Sequence, residues 1–126
     1  MNRIERQRLI SILTDAATEV YTTLGRGLSL LLYKECFLHE LKSKSVNYRE
    51  DVVIPLNYKG FKPETLIKIE ILAENEIPVE IVNSASTDQT LMNSLIRLAN
   101  KDNGLIINFA VQQPEELVVK TSLKNP

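Results

Sequence analysis

Residues 66 to 82 read LIKIEILAENEIPVEIV, and this stretch decides the fold. From Leu66 to Ala73 apolar and charged residues alternate, with Ile67, Ile69 and Ile71 on one side and Lys68 and Glu70 on the other. Such a period of two marks a half-covered strand, because successive side chains leave opposite faces of the pleat. Glu74-Asn75-Glu76 reads as a tight connection. Ile77, Val79 and Ile81 then resume an apolar face, with Pro78 and Glu80 opposite. A hairpin centred on Asn75 pairs Ile71 with Val79 and Ile69 with Ile81, and sets Glu70 against Glu80. The pattern predicts helices packed over the isoleucine face.

Upstream of the hairpin, Val52, Val53, Ile54, Leu56 and Tyr58 form a strand-like run before the turn Lys59-Gly60. Further back the period changes. Leu9, Ile10, Leu13, Ala16, Ala17, Val20, Tyr21 and Leu24 recur every three or four positions, one stripe of an amphipathic helix over residues 4 to 24. Gly25 is its expected stop, since glycine accepts the left-handed backbone that helix ends need. A second helix is predicted from Ser29, a candidate N-cap, to about Lys42. Downstream, a third helix is expected over 88 to 101, capped by Ser86 or Thr87, with Leu91, Leu95, Leu98 and Ala99 in its stripe. Leu105 to Phe109 is almost wholly apolar, as for a strand covered on both faces, and Leu117 to Thr121 is a weaker last strand. The fold class is therefore α/β, in the order α-α-β-β-β-α-β with a further β, about a central mixed sheet flanked by helices.

The 126 residues fit one domain, 1–126, and can bury a core without staples. A hydrophobic share of 44% with 25% charged residues excludes a disordered chain. Cys36 is the only cysteine, which excludes an intrachain disulfide and a multi-cysteine zinc site. The charged start, Met1 to Arg8, leads into no cleavable apolar core, and no apolar run reaches the ~20 residues of a membrane helix. Cytoplasmic location and no membrane partner are expected. A net charge of −1 supplies no field for a polyanion, so nucleic acid is not an expected partner.

Local motifs sharpen this picture. Gly25-Arg26-Gly27-Leu28, then Tyr33, then Glu40-Leu41 resembles the opening of the small bacterial GxxExxY family. Gly104-Leu105-Ile106-Ile107-Asn108-Phe109 resembles that family's glycine-leucine-leucine-isoleucine-asparagine-phenylalanine strand. The order of elements resembles the restriction-endonuclease-like core of the PD-(D/E)xK nuclease-like superfamily. This resemblance implies metal-dependent phosphodiester cleavage, with a set of site positions that the chain departs from. Leu30 stands at the family's glutamate and Glu70 at its metal-binding aspartate. Glu80 stands at the glutamate of its glutamate-x-lysine pair, Val82 at the lysine and Leu91 at a helix glutamine. Cleavage needs carboxylates on Mg²⁺ and a charged group at the attacking water, and aliphatic side chains supply neither.

Three functions are compatible with these residues. The first is a catalytically inactive nuclease-like domain that works by protein binding or self-association, as a homodimer without cofactor. The second is a Mg²⁺-dependent DNA nuclease using Glu70, Glu80 and Lys68, with Lys68 (diagonal to Glu80) in place of the missing lysine. The third is a small-ligand pocket at the former metal site, lined by Leu30, Val82 and Leu91. His39, the only histidine, reads as a surface residue, and Cys36 as a small core hydrophobe. Arg3, Arg6 and Arg8 read as a solvated helix face, being interrupted by Glu5.

Overall fold

The structure, a computed structural model, describes residues 1–122. Helix α1 (Arg3–Leu24) begins at a capping box: the Asn2 side chain accepts the Glu5 N–H at 2.8 Å, and the Glu5 carboxylate accepts the Asn2 N–H at 3.1 Å. It ends at Gly25, whose φ of 74° turns the chain away while its N–H still donates to the Tyr21 carbonyl. Helix α2 (Leu30–Ser43) starts on the predicted cap, with Ser29 Oγ accepting the Leu32 N–H at 3.2 Å. Strands β1 (Tyr48–Ile54), β2 (Ile67–Ala73) and β3 (Ile77–Val82) follow, then helix α3 (Thr90–Leu98), strand β4 (Asn103–Asn108) and strand β5 (Val118–Ser122). The sheet order is β1-β2-β3-β4-β5, antiparallel except for the β3–β4 pair, which is parallel across the α3 crossover. This is the mixed α/β sheet expected from the sequence.

Helices cover both faces of the sheet. On one face Leu13, Ala16, Ala17 and Val20 of α1 and Tyr33, Phe37 and Leu41 of α2 pack on Ile71, Val79, Ile81, Leu105 and Ile107. On the other, Met92, Leu95 and Ile96 of α3 pack on Ile54, Ile69, Leu72 and Ile106. At Gly104 a Cβ would run into the Met92 side chain and crowd Ile96, so the glycine lets α3 lie close on β4.

Three sequence expectations are corrected. Helix α3 starts at Thr90 and ends at Leu98, shorter than 88 to 101, and neither Ser86 nor Thr87 caps it. Thr87 is engaged elsewhere, its Oγ1 accepting from Asn108 Nδ2 at 3.0 Å. Its buried stripe is Met92, Leu95 and Ile96, while Leu91 and Leu98 are exposed, a rotation of about one residue from the predicted face. Strand β1 lies earlier than predicted and stops at Ile54, because Pro55 follows; Leu56 and Tyr58 are exposed beyond it. The third correction concerns the isoleucines. Ile71 lies under α1 and α2, but Ile69 lies under α3.

The cause of this last change is a defect shared by two strands. Asp51 takes a left-handed backbone (φ 52°), and the Asp51–Glu70 position is missing from a ladder that otherwise runs from Tyr48↔Ala73 to Ile54↔Ile67. On one side of the gap β1 sends Glu50 toward α2, and on the other Val52 packs with the α3 cluster. Two carboxylates that would face each other across the ladder are mutually repulsive. The strands turn over where the charges meet.

Candidate functional site

The β2–β3 ladder runs Ala73↔Ile77, Leu72↔Pro78 and Ile71↔Val79. The predicted Ile71–Val79 pair is present; an Ile69–Ile81 pair is not part of the ladder. At that point the Glu70 carboxylate intervenes, with Oε1 accepting the Ile81 N–H at 2.9 Å. Its other oxygen lies 3.8 Å from Lys34 Nζ, and the same ammonium is 3.5 Å from Glu50 Oε1. A cation from α2 thus bridges carboxylates on β1 and β2.

Burial holds the Glu70 carboxyl above the ordinary value of 4.5, and Asp51 and Glu50 add to the effect; the Ile81 N–H and Lys34 oppose it. Glu80 is also raised, first by burial, then by Glu70 and Asp88. Asp88 is lowered, first by the Thr90 N–H that its Oδ1 accepts at 2.9 Å, then by the Thr90 hydroxyl. Glu80 points to the α3 side, into a cleft of about 210 Å³ with Val82, Ser84, Ser86, Asp88, Leu91 and Ile106. Of the three aliphatic positions singled out in the sequence, Val82 and Leu91 therefore meet in one cleft. Leu30 does not line it; it is exposed at the start of α2. At about 210 Å³ the cleft is smaller than the ~300–1,000 Å³ typical of ligand pockets.

Lys68 is exposed and sits opposite Val53 on β1. The cation that reaches Glu70 is Lys34, which sequence reading missed. Its signal was weak: a lysine one helical turn after Leu30 shares that residue's side of α2, but nothing in α2 reports which strand it faces.

A sequence profile of the PD-(D/E)XK nuclease superfamily matches residues 7–120. The chain belongs to the PD-(D/E)XK nuclease superfamily. No curated protein and no solved structure matches it.

In a PD-(D/E)XK domain the divergence of β2 and β3 is where a divalent cation would be held, so the donors there can be tested against Mg²⁺. One oxygen of Glu70 is engaged by a backbone N–H and the other faces an ammonium, while Glu80 opens to the α3 side. Among the described residues no three His, Cys, Asp or Glu side chains are placed to share a metal ion. Mg²⁺ takes near-octahedral oxygen donors, of which the protein need supply only one or two carboxylates. Glu70 and Glu80 open to opposite sides of the sheet.

The remaining sequence candidates fall outside this site. His39 is exposed and Cys36 half-buried, and both border an apolar groove of about 360 Å³ between α1 and α2. Arg6 is paired with Asp102 at 3.4 Å, which reduces the basic face of α1. Among the described residues, no helix is long and apolar enough to cross a membrane.

Glu80 gives a direct electrostatic test. Its raised pKa means that the folded state holds the proton more tightly than the unfolded chain, so its contribution to stability is full below pH 4.5 and is lost as pH rises through the folded value. Glu80→Gln is therefore expected to stabilise at pH 7, by a few tenths of a kcal/mol once solvent screening of this half-exposed carboxylate is allowed for, or about 1–2 °C in Tm. The gain should vanish near pH 4. Thermal unfolding of parent and variant at both pH values checks this, and a variant less stable at pH 7 contradicts it.

Proposed function

We propose that this PD-(D/E)XK domain does not cleave phosphodiesters and acts by binding, most directly to a second copy of itself. The observation that carries the first half is Lys34. Its ammonium lies between Glu50 and Glu70 and supplies internally the positive charge that a metal would bring. Val82 and Leu91 add an aliphatic wall beside Glu80 in place of an ammonium and an amide.

The second half rests on α2. Leu28, Leu30, Leu31 and Leu32 are all exposed at its N-terminal end, with Leu31 66% exposed. Contiguous exposed leucines are unusual on a monomer and favour an interface. Twofold pairing is the commonest way for identical chains to cover such a patch. Leu30 belongs to both halves of the proposal, since a leucine there withholds a ligand and extends the patch.

Two experiments test this. The purified protein, incubated with single- and double-stranded DNA and Mg²⁺ or Mn²⁺, is expected to leave both intact. Metal-dependent cleavage that disappears in a Glu70→Ala, Glu80→Ala double variant overturns the proposal. Sedimentation at tens of micromolar, roughly the range of modest self-affinity, is expected to show a dimer that Leu31→Glu converts to monomer. A monomeric parent removes self-association.

A further inference from the structure

A large concavity adjoins the Glu80 cleft, sharing Ser86 with it, at the carboxyl ends of β3 and β4. It is a trough of about 730 Å³ between the loop after β3 and the segment joining β4 to β5. Its frame is built. Asn108, 1% exposed, donates from Nδ2 to the Ser84 carbonyl and to Thr87 Oγ1, both at 3.0 Å. Its Oδ1 accepts the N–H of Ala110 at 3.0 Å and of Ser84 at 3.3 Å. One side chain at the end of β4 therefore ties the two walls together. In open α/β sheets, ligands collect outside the carboxyl ends of the strands, and the volume falls within the usual range for a small molecule.

The lining specifies the chemistry. Val111 and Val118, both packed on the core beneath α1 and α2, provide apolar surface, while Thr87, Gln112, Glu115 and Glu116 provide hydroxyl, amide and carboxylate oxygens. Among the described residues, no lysine, arginine or histidine lines the trough. The exposed carboxylates of Glu115 and Glu116 oppose an anion and attract a cation. We infer that the trough binds a small organic cation, an amine or amidine attached to an apolar body. The apolar body lies on the valines and the cationic head meets the glutamates. This inference is independent of the proposed loss of cleavage, because the trough and the Glu70–Glu80 region are lined by different carboxylates.

The test uses three probes of one shape: benzamidine (cationic), benzamide (neutral) and benzoate (anionic), titrated into the ¹⁵N-labelled full chain. Benzamidine should shift the amides of residues 85–87 and 110–119 saturably, with a Kd near the millimolar value usual for so small a ligand. Benzamide should bind more weakly and benzoate should leave these amides unmoved. A Glu115→Gln, Glu116→Gln variant should weaken benzamidine roughly fivefold. Ala85→Trp, which crowds the rim, should abolish the shifts while the remaining spectrum reports an intact fold. The inference is overturned if benzoate binds as well as benzamidine, if the shifts centre elsewhere, if the charge variant binds unchanged, or if nothing saturates by about 10 mM.

Discussion

Tyr33→Ala is expected to lower folding stability by about 3–5 kcal/mol, or roughly 10–20 °C in Tm. Tyr33 is fully buried at the centre of the larger core, its ring stacked on Phe109 with centroids 4.3 Å apart and planes 4° from parallel. The hydroxyl donates to the Gly25 carbonyl at 2.6 Å and accepts the Leu28 N–H at 3.2 Å, pinning the turn between α1 and α2. Alanine removes the ring, leaves a cavity and releases both backbone groups. Tyr33→Phe separates these contributions: the stack persists and only the two hydrogen bonds are lost, at about 1–2 kcal/mol. Chemical denaturation of the three proteins measures both steps. Hydrogen exchange on residues 25–29 should quicken in Tyr33→Phe. Equal losses in the two variants would show that packing against Phe109 contributes little.

The second large effect is expected at Asn108. Asn108→Ala should cost about 2–3 kcal/mol, because both Ser84 backbone groups and the Ala110 N–H lose their side-chain partner in a half-buried setting. Asn108→Asp keeps the acceptor, loses the donor contacts to the Ser84 carbonyl and Thr87, and buries a negative charge. Its stability should therefore be poor at neutral pH and recover as the carboxyl takes up a proton on acidification. Unfolding curves between pH 4 and 7 distinguish the two variants. If Asn108→Asp unfolds independently of pH over that range, the burial argument fails. Both variants should also loosen the trough, since Asn108 joins its walls.

Much of this architecture was legible before any coordinates. The alternation in β2 and β3 gave the hairpin, and the spacing of Leu13, Ala16, Ala17 and Val20 gave α1. The caps at Ser29 and Gly25 gave the break between helices. Each of these signals is local, decided by backbone geometry and by side chains a few residues apart. Helix α3 was less legible because both Leu91 and Met92 can begin an apolar stripe. The choice between them was made by Gly104, which admits Met92 closely on β4. The site was legible as positions and not as geometry. Glu80, Val82 and Leu91 do share a cleft, but Leu30 does not join them, and the cation beside Glu70 is Lys34, while Lys68, the candidate stand-in for the missing lysine, is exposed.

The sequence by itself thus determined the element order, the hairpin turn, the strand from Leu105 that is covered on both faces and the aliphatic residues beside Glu80. These follow from periodicity and residue type, which survive in one dimension. Tertiary structure alone decided which face each isoleucine meets. β1 and β2 turn over between Ile69 and Ile71, at the Asp51–Glu70 position where Asp51 is left-handed and the ladder lacks a pair. It also decided the charge state of the site, because the ammonium of α2 meets the carboxylates of β1 and β2 only after the helix has packed across the sheet. Long-range electrostatics depends on distances that no sequence spacing contains.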